Sequence, residues 1–549
     1  MRWATPLVLL LLGFLAAVLA TREPGPAPVD AAPGVFSAGR ALADVRAIAQ
    51  RPHPIGSADS LRVQAYVLDR MAALGLQPQA RPFASPKGEG RNLLGVLPGR
   101  DHAAPALLLM AHFDSVPAGP GAADDAAGVA AVLETVRALG TAPRERDVMV
   151  LLTDGEEAGL LGAKAFFSAD PARAHVGVVI NLEARGNRGR AVMFETNPGA
   201  APLIRALVDA DALAAASSLM PDLYRRLPNN TDLTEAIGHG FAGLNFAFFA
   251  GLDAYHRPSD TPQALDPGSL EHMGEQVLRA ARALVTAPPT AGPVPADAPA
   301  PSLPARAPDQ AYADILGGPV LQYPALVGWA LAILAGGGLA AYALRLAYRG
   351  QLSLPGVGGG ALAYLGLVLL LALGLYALGL VRDAVAGQRL APLLRNAAGA
   401  RAGAALLALG LSLVWAAVAG RRLRTESLAF GALAVLAAGA VALQAVARLD
   451  AFILTWPFIG VGLALTLGGP DRPWVRGVIL LAILSEILYW ALLLFDLVGQ
   501  TMPVALAPFA ALAVAALLPC APRAGARAAT AGGALAAAGA AISLLAAAG

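Results

Sequence analysis

Cysteine is all but missing: Cys520 is the single one among 549 residues. An internal disulfide framework and any cysteine-ligated metal centre are thereby excluded. Lysine is nearly as scarce, Lys87 and Lys164 being the only two, so the net charge of +2 is carried almost wholly by arginine. No basic cluster interleaved with aromatics occurs in the first part of the chain, which argues against nucleic acid as a partner. Charged residues amount to 14%, against roughly 25% in an ordinary soluble domain. The shortfall is concentrated after about residue 320. With 56% hydrophobic residues and a mean hydropathy of +0.59, part of this chain belongs in lipid. Any metal must be held by histidines and carboxylates.

Arg2 precedes an apolar run from about Pro6 to Ala20. Its length suits a signal-peptide core or a slightly short membrane anchor. The ending Ala17-Val18-Leu19-Ala20 is a loose match to a cleavage site, so an uncleaved anchor over residues 1–22 is favoured, and either reading exports the segment after it. From about Val35 to Ala287 helical and strand patterns alternate, which predicts a globular α/β domain over 35–287. The stretch 288–320 opens on a run rich in proline and alanine, Pro288 to Pro308, with too little apolar variety to pack; it is expected to be a linker.

Beyond it, apolar segments recur near 325–346, 358–380, 402–419, 427–447, 452–467, 478–495, 503–518 and 530–548. Each is about long enough to cross a hydrocarbon core of roughly 30 Å. Residues 321–549 are therefore expected to form an all-α bundle of about eight transmembrane helices. If the α/β domain lies outside, the inside loops carry Arg345 and Arg349, then Arg421, Arg422 and Arg424, then Arg472 and Arg476, then Arg523 and Arg527, as the positive-inside rule asks. Arg382, Arg389, Arg395 and Arg401 break the pattern, as an interfacial segment or a miscounted span does. Heavy use of alanine, glycine and arginine fits a GC-rich bacterial genome. The expectation is a multipass protein of a bacterial inner membrane with a periplasmic domain, or a lumenal one in a eukaryote.

Chemistry-bearing residues gather at the ends of apolar strands. Ala106 to Met110 runs into Ala111-His112-Phe113-Asp114, placing a histidine and an acid at a strand's carboxyl end, where sites form in open α/β sheets. Taken alone, His112 reads more readily as structural than as a metal ligand oriented by Asp114. Asp124 and Asp125 open the next helix; for Asp125 capping explains the residue at least as well as catalysis, whereas Asp124, near metal, is able to bridge two cations. A third apolar strand, Val148 to Thr153, ends in Asp154-Gly155-Glu156-Glu157. Two acids leaving a buried strand are hard to explain as a solvated face. Their side chains diverge, so Glu157 is assigned to metal and Glu156 to a proton. A fourth strand delivers Glu183, and a loop after Asn245 to Phe249 carries Tyr255 and His256. His256 completes a ligand set, and Tyr255 is a candidate donor to an oxyanion.

Together these residues resemble the M28 family of zinc aminopeptidases, from about Arg51 to Thr286 and in the family's order. The carrying motifs are His112-Phe113-Asp114-Ser115, Asp124-Asp125-Ala126-Ala127-Gly128, Glu156-Glu157, Asn181-Leu182-Glu183 and Tyr255-His256. The resemblance implies a mixed-sheet α/β domain of the phosphorylase/hydrolase-like kind and two zinc ions per chain. One zinc is then held by His112, Asp124 and Glu183, the other by Asp124, Glu157 and His256. Glu156 is the base, and the substrate is a peptide or protein N-terminus. Arg51-Pro52-His53-Pro54-Ile55-Gly56-Ser57 with the multispan tail is similar to the endoplasmic-reticulum and vacuolar membrane branch of that family. The chain departs at Ala127, where serine is usual, and at Glu183, where aspartate is common.

Three other readings stand beside this one. A glutaminyl cyclase shares the fold with a single zinc, but here His112 completes a second site. A receptor that has lost its chemistry is disfavoured by the intact ligand set. A transporter with an accessory domain would rest on Glu486, inside an apolar span, where an ionisable group is functional by default or else bonds a neighbouring helix. His53 reads as structural, Asp232 as helix-capping or pocket-lining, and His239 and His272 as ordinary surface or helix residues.

Overall fold

A computed structural model of the chain describes residues 3–140, 142–210, 214–286, 307–386, 396–468 and 472–548. These form two compact units, Arg22–Gln322 and Met1–Thr21 with Tyr323–Gly549. In chain order, the elements up to residue 314 are α1 (Ala4–Ala20), α2 (Ala38–Ile48), α3 (Ala58–Ala73), β1 (Gln79–Ser85), β2 (Gly88–Leu97), β3 (Ala106–His112), α4 (Gly128–Leu139), β4 (Val148–Thr153), α5 (Leu161–Ala169), β5 (Val176–Ala184), β6 (Val192–Thr196), α6 (Ala201–Ala210), α7 (Leu219–Tyr224), α8 (Asp232–Gly238), β7 (Ala242–Phe248), α9 (Pro267–Thr286) and β8 (Gln310–Asp314).

Seven strands make one mixed sheet in the order β1-β2-β4-β3-β5-β7-β6. β4, β3, β5 and β7 run parallel, while β1, β2 and β6 join antiparallel at the two sides. The parallel strands are largely apolar because both their faces are covered, with Asn181 and Glu183 of β5 and Asn245 of β7 among the polar exceptions. On β3, Leu107, Leu109 and Ala111 pack into one core with α2, α4 and α9, while Ala106, Leu108 and Met110 pack into another with α5 and α8. The result is a three-layer α/β/α unit. From β3 the chain steps sideways to β4, then crosses back over to β5. That reversal puts the crevice for a site at the carboxyl end of β3.

Part of the stretch expected as linker, 288–306, lies outside the described residues. The remainder includes β8, whose Ala313 bridges to Ser217 and whose Tyr312 carbonyl accepts from the Ser218 N–H at 2.8 Å. This segment packs in part on residues 216–218, about a hundred positions earlier, which exchange hydrogen bonds with it.

In the other unit, seven described helices are long and apolar enough to cross a bilayer: 325–348, 354–385, 397–419, 425–446, 473–499, 503–520 and 526–548. The chain is a multipass membrane protein. Of the eight segments expected after residue 320, seven coincide with these helices, and Phe452–Leu467 is a shorter apolar helix of 16 residues. The arginines that broke the loop pattern are partly accounted for. Arg382 is buried within its helix and donates to the Thr501 carbonyl at 3.1 Å. Arg401 is paired with Asp496 and lies over the Phe495 ring. Arg389 and Arg395 lie outside the described residues.

Candidate metal centre

Four parallel strand ends deliver the donors to one edge. β3 terminates at His112, and β4 leads through Gly155, at φ +75°, to Glu156 and Glu157. Glu183 lies near the end of β5, and the loop after β7 brings Tyr255 and His256. Asp124 sits between them in the loop from β3 to α4. Its two oxygens point opposite ways: Oδ1 is 3.1 Å from His112 Nε2, and Oδ2 is 3.2 Å from His256 Nε2. Glu183 Oε2 lies 3.7 Å from His112 Nε2, and Glu157 Oε2 lies 3.0 Å from His256 Nε2. Two triads result, His112–Asp124–Glu183 and Asp124–Glu157–His256, each with its donor atoms within 4.8 Å of one another. Glu156 falls within the same distance of His112 and Glu157.

The donor set fits a pair of cations. All donors are nitrogen or oxygen, as zinc accepts, and Asp124 is placed as a bridge. Glu157 Oε1 is buried without a hydrogen-bond partner, an expensive state unless a cation takes it up. Burial and the Asp124 charge push the Glu157 carboxyl up to about 7, and burial drives Glu156 and Glu183 well above the ordinary range. Asp124 resists burial because His112 and His256 hold it at about 2. Burial opposes charge on His256 as well, yet its bonds to Asp124 and Glu157 raise it to about 10. Closely packed acids of this kind are stabilised by positive charge.

The supporting residues are as informative as the donors. The Asp114 carboxylate accepts the N–H groups of Glu156 and Glu157 at 3.0 and 3.3 Å and stands 3.5 Å from His112 Nδ1; Nδ1 is also 3.1 Å from the Asp114 carbonyl. Asp125 accepts the Gly128 N–H at 2.9 Å, which is the capping interaction expected of it. The Tyr255 ring stacks on His256 with centroids 3.8 Å apart; burial and the neighbouring carboxylates raise its hydroxyl's pKa, so it stays a donor.

Asp232 does not cap α8, because Thr231 and Thr234 form the capping box there; its carboxylate accepts from the Thr153 hydroxyl at the end of β4. His53 is buried with its Nδ1 at 2.9 Å from the Arg51 carbonyl. His272 is a buried helix residue, its Nδ1 accepting from the Ala191 N–H at 3.1 Å.

Two residues escaped sequence reasoning. Asp260 accepts from the backbone N–H of Ala123 and Asp124 at 2.8 and 3.2 Å, pinning the loop that presents Asp124. Its partner is more than a hundred residues away, so no local pattern marks it. Asn181 donates to Glu183 Oε1 at 3.0 Å and to Asn245 Oδ1 at 3.2 Å, and Asn245 in turn donates to Glu195 and Thr231, each at 2.9 Å. Here a signal existed: in a strand, positions i and i+2 share a face, which puts Asn181 beside Glu183.

Residues 92–281 match the model of peptidase family M28. The resemblance read from the motifs is thereby borne out, including its membrane branch. The chain is 32% identical over 255 residues to a vacuolar membrane protease of Schizosaccharomyces pombe, covering 43% of this chain and 30% of that protein. It is 31% identical over 242 residues to endoplasmic reticulum metallopeptidase 1 of Mus musculus, covering 43% and 26%. The match thus spans less than a third of the length of either relative. Among solved structures, a zinc aminopeptidase from Bacillus subtilis is 14% identical with a TM-score of 0.39, covering 46% of this chain and 96% of that one. The matched M28 segment contains every donor named above.

Proposed function

We propose that this protein is a membrane-bound metallopeptidase that removes residues from the N-terminus of peptides, using two zinc ions in the M28 domain. One zinc would be held by His112, Asp124 and Glu183, the other by Asp124, Glu157 and His256. The observation that carries the reading is Asp124, with one oxygen turned toward each imidazole. When bound, the cations polarise the scissile carbonyl and lower the pKa of an attacking water. Glu156 takes the water's proton and returns it to the leaving amine. Asp114 holds both the Glu156–Glu157 turn and the His112 ring, and the Tyr255 hydroxyl donates to the oxyanion as it forms. The cluster of acids suits a positively charged peptide N-terminus. The positions of the arginine-rich loops support placing this domain on the far side of the bilayer.

The test is Glu156→Gln in the full chain, with zinc content measured beside cleavage of an aminoacyl reporter panel. Turnover is expected to fall by at least about 10²-fold with both zinc ions retained. Full activity in the zinc-loaded variant removes Glu156 from the base role. A wild-type protein that holds one zinc or none overturns the dinuclear reading.

A further inference from the structure

Within the unit Met1–Thr21 with Tyr323–Gly549, two apolar cavities of about 340 and 490 Å³ share Leu10, Leu409, Ser412, Val514 and Leu517 on their walls. They are therefore consecutive parts of one groove between α1 and helices 397–419 and 507–517. Each part lies in the roughly 300–1,000 Å³ range of small-molecule sites. One end is reached at Phe14, Arg401 and Phe495, the other at Trp3, Arg523 and Arg527. Between them the walls offer water little to bond. The Ser412 hydroxyl already donates to the Ala408 carbonyl at 2.7 Å, and the Trp415 indole donates to the Ala363 carbonyl at 2.7 Å. An apolar space of this kind stays dry, and at membrane depth a hydrocarbon chain fills it without desolvation cost.

The two ends differ in charge. At the first, Arg401 is neutralised by Asp496. At the second, Arg523 and Arg527 line the groove itself, and Arg421, Arg422 and Arg424 follow Gly420, another lining residue. All five are exposed, and Glu426 is the one acid in 420–427 and 518–530. Cationic clusters at the membrane surface attract anionic headgroups at about 1 kcal/mol per arginine. We propose that the groove binds an anionic phospholipid, with an acyl chain lying along α1 and the phosphate held by Arg523 and Arg527.

The test uses the full chain purified from nanodiscs of phosphatidylcholine containing a minor fraction of phosphatidylglycerol, with retained lipid counted by native mass spectrometry. Wild type is expected to keep about one phosphatidylglycerol per chain through detergent washing that strips phosphatidylcholine. Arg523→Gln with Arg527→Gln is expected to weaken retention on the order of thirtyfold, two arginines' worth of attraction, while Arg523→Lys with Arg527→Lys keeps most of it. Leu409→Trp fills the groove without altering charge and is expected to abolish retention. The triple change Arg421→Gln, Arg422→Gln, Arg424→Gln removes more charge outside the groove and is expected to act less than the pair. Equal loss in pair and triple, or unchanged retention in Leu409→Trp, overturns the proposal in favour of general surface attraction. If the Gln pair does not fold, Leu409→Trp against wild type decides the matter alone.

Discussion

Asn181 illustrates how a residue outside the donor set shapes the site. It holds Glu183 Oε1 at 3.0 Å, leaving Oε2 to face His112 at 3.7 Å. Losing such an orienting partner typically costs 10–100-fold in metal affinity. Asn181→Ala is therefore expected to weaken zinc binding by about that factor, read by competition with a chelating dye. Wild-type affinity in a folded variant would mean that Glu183 needs no orienting partner. His272, which is not among the donors, titrates in the opposite sense to a salt-bridged histidine. Burial, then Arg190 and Arg279, push its pKa well below 6.5. The unfolded chain binds a proton there that the folded one refuses. The stability this residue contributes is complete above 6.5 and is lost as pH falls from there through the folded value. Unfolding temperature should drop on acidification below 6.5, and His272→Gln should flatten that slope. An unchanged slope excludes His272 as its source.

At the scale of elements, the helices 397–419 and 526–548 come together through glycines. A Cβ on Gly532 would stand 2.7 Å from the Gly410 carbonyl oxygen, and one on Gly403 would stand 2.7 Å from that of Gly539. Small residues allow such approach between helices in lipid, where packing replaces the hydrophobic drive. Gly532→Leu is expected to force the pair apart at a cost of about 1–3 kcal/mol or more, seen as a lower unfolding temperature in detergent. Tolerance without loss would show that the two helices separate freely. The same scale shows what was legible. β3 and β4 announced themselves as unbroken apolar runs and β5 and β7 as largely apolar ones, because strands covered on both faces need not alternate. β8 did not, since part of its bonding, to Ser217 and Ser218, comes from about a hundred residues earlier.

For the whole molecule, the proposed zinc site belongs to one of two compact units, and a ligand stabilises the folded state of the unit that binds it. Zinc at roughly 1,000 times its dissociation constant adds about 4 kcal/mol to the folded state that binds it. A strong chelator is accordingly expected to lower the unfolding transition of Arg22–Gln322 and leave that of the helical bundle in place. Scanning calorimetry of the full chain in detergent, with and without chelator, measures this. Transitions that move together, or not at all, contradict it.

Residue types and their local spacing pointed to an α/β domain before a membrane bundle, and, with the family resemblance, nominated His112, Asp124, Glu156, Glu157, Glu183, Tyr255 and His256 as candidates. Strand ends and helix starts are properties of contiguous chain, so their signals survive in one dimension. The division of Asp124's two oxygens between the histidines, the hold of Asp260 on the loop before α4, and the groove between α1 and helices far along the chain were decided only by folding. Each depends on distances between residues tens to hundreds of positions apart, which hydrophobic burial sets and no local pattern encodes.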